Sequence, residues 1–320
     1  MEKRAFGKTG MEITRIGFGS WAIGGSGWRA AWGPQDDDEA VGAIRRAVEL
    51  GMNWIDTAAV YGLGHSEELV ARALENVPES ERPYVFTKCS QVWDEEGEVH
   101  NVLRKDSVKR ECEDSLRRLR METIDLYQIH WPRPDEGIEE GWEAMVELRE
   151  EGKVRHLGVS NFDVSQMERL REIAPVETLQ PPYNMLNRGI EEEILPYCAE
   201  QDIGVIVYSP MRSGLLTGKM TRERVENLPS DDWRRNSSDF REPRLSRNLE
   251  LVDLLEEIGR EHGRSPAEIS IAWTLRHPAV TAAIVGGRRP DQVDGIIGAT
   301  ELSLSEDELE RIEAFLGERS

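Results

Sequence analysis

Residues 53–58 read Asn-Trp-Ile-Asp-Thr-Ala, and residues 84–89 read Tyr-Val-Phe-Thr-Lys-Cys. Each is a short β-branched or aromatic run that follows a helix-compatible segment, the pattern of a buried strand. Each also carries an ionisable group near its end, Asp56 in the first and Lys88 in the second. Working outward, similar runs recur at 14–20, 123–130, 154–161, 178–184, 204–210 and 280–286, which makes eight. Helix patterns lie between them. In 38–50, Val41, Ile44 and Val48 share a face behind the acids Asp36–Glu39, and Gly51 stops the helix. In 107–119, Val108, Cys112, Ser115 and Leu116 share another. The strand ends are spaced by 24 to 41 residues, with a last interval of 77. Repeated βα units of this size give a parallel sheet, and eight of them close a (β/α)8 TIM barrel. An open doubly wound sheet also alternates strand and helix and is the rival.

The expected organisation is one barrel domain over residues 1–320 with a polar, Arg-rich insertion at about 217–247. That insertion reads either as a lid over a ligand or as a solvated, mobile loop. Two extra helical segments follow it, at 249–262 and 265–276. Before the first barrel strand, Arg4–Gly7 and Met11–Thr14 flank Lys8-Thr9-Gly10, which reads as a β-hairpin able to cover one barrel end. Residues 305–316 form an amphipathic helix pattern, with Ser305 as cap and Leu309, Ile312 and Leu316 on one face.

Composition excludes several classes. The chain has 320 residues, 38% hydrophobic and 32% charged, enough to bury a large core. The net charge is −21, from 61 acids against 40 bases, which argues against nucleic-acid backbones and anionic membranes as partners. No apolar run approaches the roughly 18 residues of a membrane span, and the start has no apolar signal region, so a cytoplasmic protein is expected. The three cysteines, Cys89, Cys112 and Cys198, have neither metal nor disulfide spacing and read as buried thiols.

In a barrel, chemistry sits at the carboxyl ends of the strands. Asp56-Thr57, running on to Tyr61, ends strand two; Lys88 ends strand three; His130 ends strand four. A tyrosine holds its proton at neutral pH and is a poor acid, but a nearby ammonium stabilises the phenolate. A carboxylate can hold that ammonium, and a histidine can fix the oxygen being protonated. The set suits protonation of a carbonyl oxygen that is becoming an alkoxide. It lacks the activated Ser or Cys of nucleophilic hydrolysis. One His and one Asp are too few to ligate a metal, so none is expected. Protonating a carbonyl reduces nothing without a hydride donor. The chain's GxGxx(G/A) match, Gly17-Phe-Gly19-Ser-Trp-Ala22, opens no helix, because Gly24, Gly25, Gly27 and Pro34 follow; it is rejected as a dinucleotide fingerprint.

Asp56-Thr-Ala-Ala-Val-Tyr61-Gly-Leu-Gly-His-Ser66-Glu67, then Lys88, then Gln128-Ile-His130-Trp, resembles the aldo-keto reductase family. So do Gly158-Val-Ser160-Asn161-Phe, Gln180-Pro-Pro-Tyr183-Asn184, Tyr208-Ser209-Pro210-Met211 with Gly214 through Lys219, and Ala283-Ile-Val-Gly286-Gly-Arg288. The series runs in order over nearly the whole chain. The resemblance implies a TIM barrel that binds NADP(H), rather than NAD(H), across its carboxyl face without a dinucleotide-binding domain. It implies a tetrad in which Tyr61 is the general acid for reduction, Lys88 lowers its pKa, Asp56 holds Lys88, and His130 orients the carbonyl. Ser160, Asn161 and Gln180 would bond the nicotinamide carboxamide, and Tyr208 would stack on its ring. Ser209, Pro210, Met211, Gly214 and Lys219 would follow the pyrophosphate. Gly286, Arg288 and Gln292 would sit near the adenosine, with Arg288, or else Arg289, on a 2′-phosphate. Where many members carry Glu-Asn against the adenine, this chain has Gly295-Ile296, so the contacts there must differ.

Trp21 is expected beside the cofactor, and Trp28, Trp32, Trp93 and Trp131 around the substrate, since aromatic walls are usual for small-molecule sites. Trp233 falls in the insertion, while Trp54, Trp142 and Trp273 fall in strand or helix bodies and read as core. The functional expectation is NADP(H)-dependent interconversion of carbonyls and alcohols, with a small-molecule carbonyl or alcohol as partner. A cofactor-binding regulatory subunit without turnover is the alternative, and a Schiff-base aldolase acting through Lys88 is a third reading.

Overall fold

The computed structural model describes residues 1–317. The chain opens with an antiparallel hairpin of β1 (Lys3–Ala5) and β2 (Glu12–Thr14). The first barrel strand is β3 (Ile16–Gly19), followed by α1 (Asp37–Glu49), β4 (Trp54–Asp56), α2 (His65–Leu74) and β5 (Tyr84–Cys89). A second hairpin, β6 (Gln91–Trp93) with β7 (Val99–Asn101), precedes α3 (Lys105–Leu119) and β8 (Ile124–Ile129). Then come α4 (Ile138–Glu150), β9 (Val154–Ser160), α5 (Val164–Arg171), β10 (Thr178–Gln180), α6 (Ile194–Gln201) and β11 (Gly204–Val207). The last part holds α7 (Arg222–Glu226), α8 (Arg244–His262), α9 (Pro266–Leu275), β12 (Ala282–Gly286), α10 (Pro290–Asp294) and α11 (Glu306–Gly317). Strands β3, β4, β5, β8, β9, β10, β11 and β12 pair in that order, all parallel, and β12 returns to β3 to close the barrel. The doubly wound alternative is thereby excluded.

Several strands are shorter than the sequence pattern suggests. β10 stops at Gln180 because Pro181 and Pro182 cannot continue a ladder. The β6–β7 hairpin was not anticipated; its strands are three residues each, too short to show a period. The insertion is structured: α7, short 3-10 turns and the start of α8 fold over a small core of Leu215, Met220, Phe240 and Leu245. It is a packed element with its own buried side chains.

The N-terminal hairpin closes the barrel end opposite the strand carboxyl ends. Phe6, Met11 and Ile13 pack there on Trp54, Phe86, Leu126 and Ile206, with the Phe6 and Phe86 rings 5.9 Å apart. Trp54, Trp142 and Trp273 are fully buried, and all three cysteines are buried and free. The buried Arg15 guanidinium donates to the Val280 and Thr281 carbonyls at 2.9 and 2.8 Å and to that of Leu275, clasping the first strand to the last unit. No helix among the described residues is long and apolar enough to cross a membrane.

The rejected glycine motif has a packing explanation. A Cβ on Gly17 would lie 2.1 Å from the Trp54 ring, and one on Gly19 would lie 2.4 Å from Ile284. Both glycines admit large side chains into a closed barrel, where density leaves no slack. Gly17→Ala is expected to cost about 1–3 kcal/mol by overpacking. Gly189→Ala, which meets nothing within 4 Å, is the control. Denaturant midpoints check this; a Gly17→Ala protein as stable as the parent would refute the packing argument.

Candidate active site

The parallel register places Asp56 beside Phe86 and Lys88 beside Gln128, so the ends of β4, β5 and β8 stand side by side. Lys88 Nζ donates to Asp56 Oδ1 at 2.6 Å and to the Thr57 carbonyl at 2.7 Å. Both charged side chains are almost wholly buried, at 1% and 2% exposure. The other Asp56 oxygen accepts from Gln180 Nε2 at 2.8 Å and from Gln128 Nε2 at 3.5 Å. A buried ion pair survives only when such extra bonds complete it. Lys88 Nζ lies 5.2 Å from the centre of the Tyr61 ring, and the Tyr61 and His130 rings meet edge to face at 5.7 Å. Among the described residues, neither the Tyr61 hydroxyl nor the His130 imidazole has a hydrogen-bond partner. Both side chains line one large cavity of about 1030 Å³ at the strand carboxyl ends.

Burial pushes the Tyr61 phenol well above its ordinary value, with the Asp56 carboxylate and Tyr208 pushing the same way. Desolvation is the largest cause, and Tyr61 keeps its proton. Burial pulls the His130 imidazole well below its ordinary value, and the Lys88 charge adds to this. Burial also lowers the Lys88 ammonium, opposed by Asp56. The result is a protonated phenol and a neutral imidazole facing one space.

Farther along, Asn161 is held at a left-handed φ of +64°. Its amide donates to the His130 carbonyl and to Ser160 Oγ, both at 3.0 Å, while its Oδ1 accepts from the Tyr208 hydroxyl at 2.8 Å. Ser160 Oγ donates to the Gln180 carbonyl at 2.7 Å. Gln180 gives its amide hydrogens to Asp56 and Gln128, and its Oε1 has no partner among the described residues. Beyond Tyr208, the backbone takes positive φ at Ser209, Arg212, Ser213 and Gly214, a concave run of the kind that presents N–H groups to anions. Lys219, Gly286, Arg288 and Gln292 line the distal end with Gly295 and Ile296.

The insertion is latched over the first loop. Trp233 stacks on Trp21 at 5.4 Å, and Trp32 meets both rings edge-on. Trp21 in turn stacks on Tyr61 at 6.4 Å. The Arg234 guanidinium lies 4.4 Å over Trp32 while forking onto the buried Asp232, with its closest contact at 2.6 Å. The Trp233 amide donates to the Ala31 carbonyl at 3.2 Å.

The chain matches the family model described as the aldo/keto reductase family over residues 15–316. It belongs to that family. An aldo-keto reductase of Bacillus subtilis is 37% identical over 99% of this chain and 94% of its own. An NADH-specific methylglyoxal reductase of Escherichia coli is 32% identical over 96% of this chain and 95% of its own. Among solved structures, a glycerol dehydrogenase from Gluconobacter oxydans superposes with a TM-score of 0.86 at 41% identity, covering 96% of this chain and 93% of its own. Family members are oxidoreductases that use nicotinamide cofactors.

The expected residues Trp21, Asp56, Tyr61, His130, Ser160, Asn161, Gln180, Tyr208, Ser209, Pro210 and Met211 all line the one cavity, as do Trp28, Trp32 and Trp131. Lys88 stands behind the wall. Two expectations need correction. Trp93 does not line the cavity: the β6–β7 hairpin carries it out to α3, where Arg118 lies 5.7 Å from its ring. The Arg288 fork, assigned to a phosphate, is committed to Gln35 at 2.6 Å, to the Trp32 carbonyl at 3.2 Å and to the Pro34 carbonyl. The Trp32 ring lies under Arg234 and edge-on to Trp21 and Trp233.

Sequence reasoning gave no role to several supports. The fully buried Glu67 accepts from Thr87 Oγ1 and from Arg118 Nε, both at 2.6 Å, locking α2, and so the Tyr61 loop, onto β5 and α3. Its signal was present, since Ser66-Glu67 closes the quoted motif. Glu111 accepts from the Ser90 amide at 2.9 Å, and Ser90, at φ +80°, bonds Trp131 through its hydroxyl. Burial pushes Glu111 up to about 7. Nothing in the spacing of Glu111 marks it out.

Because Tyr61 stays protonated and His130 stays neutral, neither changes charge where a free imidazole does, near about pH 6.5. The profile of kcat/KM for carbonyl reduction is expected to be flat through that region and to fall only at alkaline pH, as Tyr61 ionises. An acidic limb near pH 6.5 that His130→Gln abolishes would contradict the assignment.

Proposed function

We propose that the protein reduces aldehydes or ketones to alcohols, or runs the reverse reaction, with NADP(H) lying along the cavity. The observation that carries this is the pair of groups without hydrogen-bond partners among the described residues, the half-buried Tyr61 hydroxyl and the buried His130 imidazole, facing one space beside the Lys88–Asp56 ion pair. A carbonyl oxygen placed between them receives one hydrogen bond from each. The bound cofactor would supply the two electrons as a hydride to the carbonyl carbon. Tyr61 passes its proton to the developing alkoxide, and the Lys88 ammonium stabilises the phenolate that is left. The phenolate regains a proton from water. Asp56 keeps Lys88 in place and charged.

The residues fit a dinucleotide. Gln180 Oε1 stands open to a carboxamide N–H, the Tyr208 ring is fixed by Asn161, and the run at Ser209–Gly214 suits a pyrophosphate. The distal wall is cationic. Arg288 acts there as a clasp for the first loop. Arg289 is the better ligand for a 2′-phosphate, because its pair with Asp291 at 3.1 Å is exposed and such pairs contribute only about 0–1 kcal/mol. The same charges accept NADH less well, since it lacks that dianion. Lys88 does not suit Schiff-base chemistry: it is paired, charged and shielded from the cavity by Asp56 and Thr57.

Titration with NADPH and NADH, followed by tryptophan quenching, tests the cofactor reading through Trp21 and Trp233. NADPH is expected to bind more tightly, and Arg289→Ala to narrow the difference. Tyr61→Phe should bind NADPH like the parent yet reduce carbonyls about 100-fold more slowly or worse. Undiminished reduction by Tyr61→Phe would overturn the mechanism. Tight NADPH binding with no turnover over a broad carbonyl panel would favour the regulatory reading instead.

A further inference from the structure

The protein carries a net charge of −21, yet its cavity wall holds seven lysine and arginine side chains against two aspartates. Both aspartates are neutralised, Asp56 by Lys88 and Asp291 by Arg289. Of the other cations, Arg288 clasps the first loop, Arg234 forks onto Asp232 and Arg224 donates to the Lys219 carbonyl, while Lys219 and Arg289 are left for the proposed phosphates. Two have no such use. Arg29 follows Trp28, whose ring packs 6.1 Å from Tyr61. Arg133 lies 5.3 Å over the Trp131 ring, which itself stacks on His130 at 6.4 Å. Arg133 is thus one aromatic ring removed from His130, and Arg29 lines the same cavity beside Trp28.

Their lack of partners is unusual in this chain. Acids outnumber bases, and nearly every described arginine side chain is used in an ion pair or hydrogen bond. Among the described residues only those of Arg29, Arg110, Arg133 and Arg247 make neither. Arg110 and Arg247 sit on the outer helices α3 and α8. The other two line one cavity. That cavity also carries the amides of Gln91 and Asn101, 3.5 Å apart, and no carboxylate except the paired Asp56 and Asp291. Two unpaired cations over a low-dielectric pocket focus a positive field into it. A guanidinium fork matches a carboxylate or phosphate in shape and charge.

We propose that the substrate end is an oxyanion subsite: the carbonyl compound reduced here carries a carboxylate or a phosphate remote from the reacting carbonyl, held by Arg29 and Arg133. This rests on the reading of Tyr61 and His130 as the carbonyl-binding pair. The anion adds binding energy away from the chemistry, while hydride and proton reach the carbonyl as in the neutral case.

Matched substrates test it: 4-oxobutanoate against butanal, and glyceraldehyde 3-phosphate against glyceraldehyde. The wild-type enzyme is expected to favour the anionic member of at least one pair in kcat/KM. Which pair it favours tells carboxylate from phosphate. That preference should weaken as salt is raised, because exposed charges are screened. Arg29→Gln and Arg133→Gln should each lower the anionic-to-neutral ratio by about tenfold or more, chiefly through KM, the size of a lost charged hydrogen bond. Arg110→Gln removes the same charge at a distance and should leave the ratio unaltered. If both pairs are reduced without preference, or if Arg110→Gln shifts the ratio as much as Arg133→Gln does, the subsite is refuted while the carbonyl reading stands. If no member is reduced with either cofactor, the carbonyl reading falls and takes the subsite with it.

Discussion

One ion pair sets the terms for the rest of the site. Lys88 and Asp56 sit at the mouth of a closed barrel, both nearly out of reach of water. Breaking such a pair from one side costs about 3–5 kcal/mol, because the remaining charge is stranded. The surroundings are accordingly committed to it. The Thr57 carbonyl takes a second Lys88 proton, and Gln128 and Gln180 supply the free Asp56 oxygen. These bonds tie strands β4, β5, β8 and β10 into one rigid rim. The Tyr61 loop, braced by Glu67, then closes over the ammonium. A phenol buried beside a fixed positive charge is a poor acid at rest and a stabilised phenolate after transfer, which suits one proton donated at one moment.

A second constraint comes from closing the barrel with large side chains. Trp54, Phe86 and Phe6 fill the end away from the site, so Gly17 must stay bare. At the site end, the aromatic groups come from loops instead. Trp21 contacts the Tyr61 ring on one side and Trp233 of the insertion on the other. The first loop, the insertion and the distal Arg288 clasp therefore form one unit, joined through Trp32 and its carbonyl. The insertion roofs the part of the cavity where the cofactor is proposed to lie and leaves the end with Trp28 and Trp131 to the substrate.

The barrel, and the gathering of Asp56, Tyr61, Lys88 and His130 at its carboxyl end, were legible because both are written in local pattern. Short β-branched strand runs and helical faces repeat at βα spacing, and Asp56, Lys88 and His130 stand where those runs end. What escaped depends on contacts between distant segments. Arg288 looks like a free phosphate ligand until Gln35, 253 residues earlier, is seen to hold it. Trp93 looks like pocket wall until a six-residue hairpin ladder turns it toward Arg118. Asp232 and Arg234 read as part of a polar loop, yet both are buried as a pair beneath the tryptophans. Glu67 and Glu111 have no role in the sequence reading, and tertiary packing makes them supports.

The cavity beside the Lys88–Asp56 pair is proposed to direct a hydride to a carbonyl carbon. Enzyme supplied with NADPH deuterated at the transferable position of the nicotinamide, together with an aldehyde, gives the most direct test, read by mass spectrometry of the alcohol. The account predicts an alcohol carrying deuterium on the former carbonyl carbon, one atom per cofactor oxidised. Alcohol without the label, or cofactor oxidised without alcohol, would contradict it.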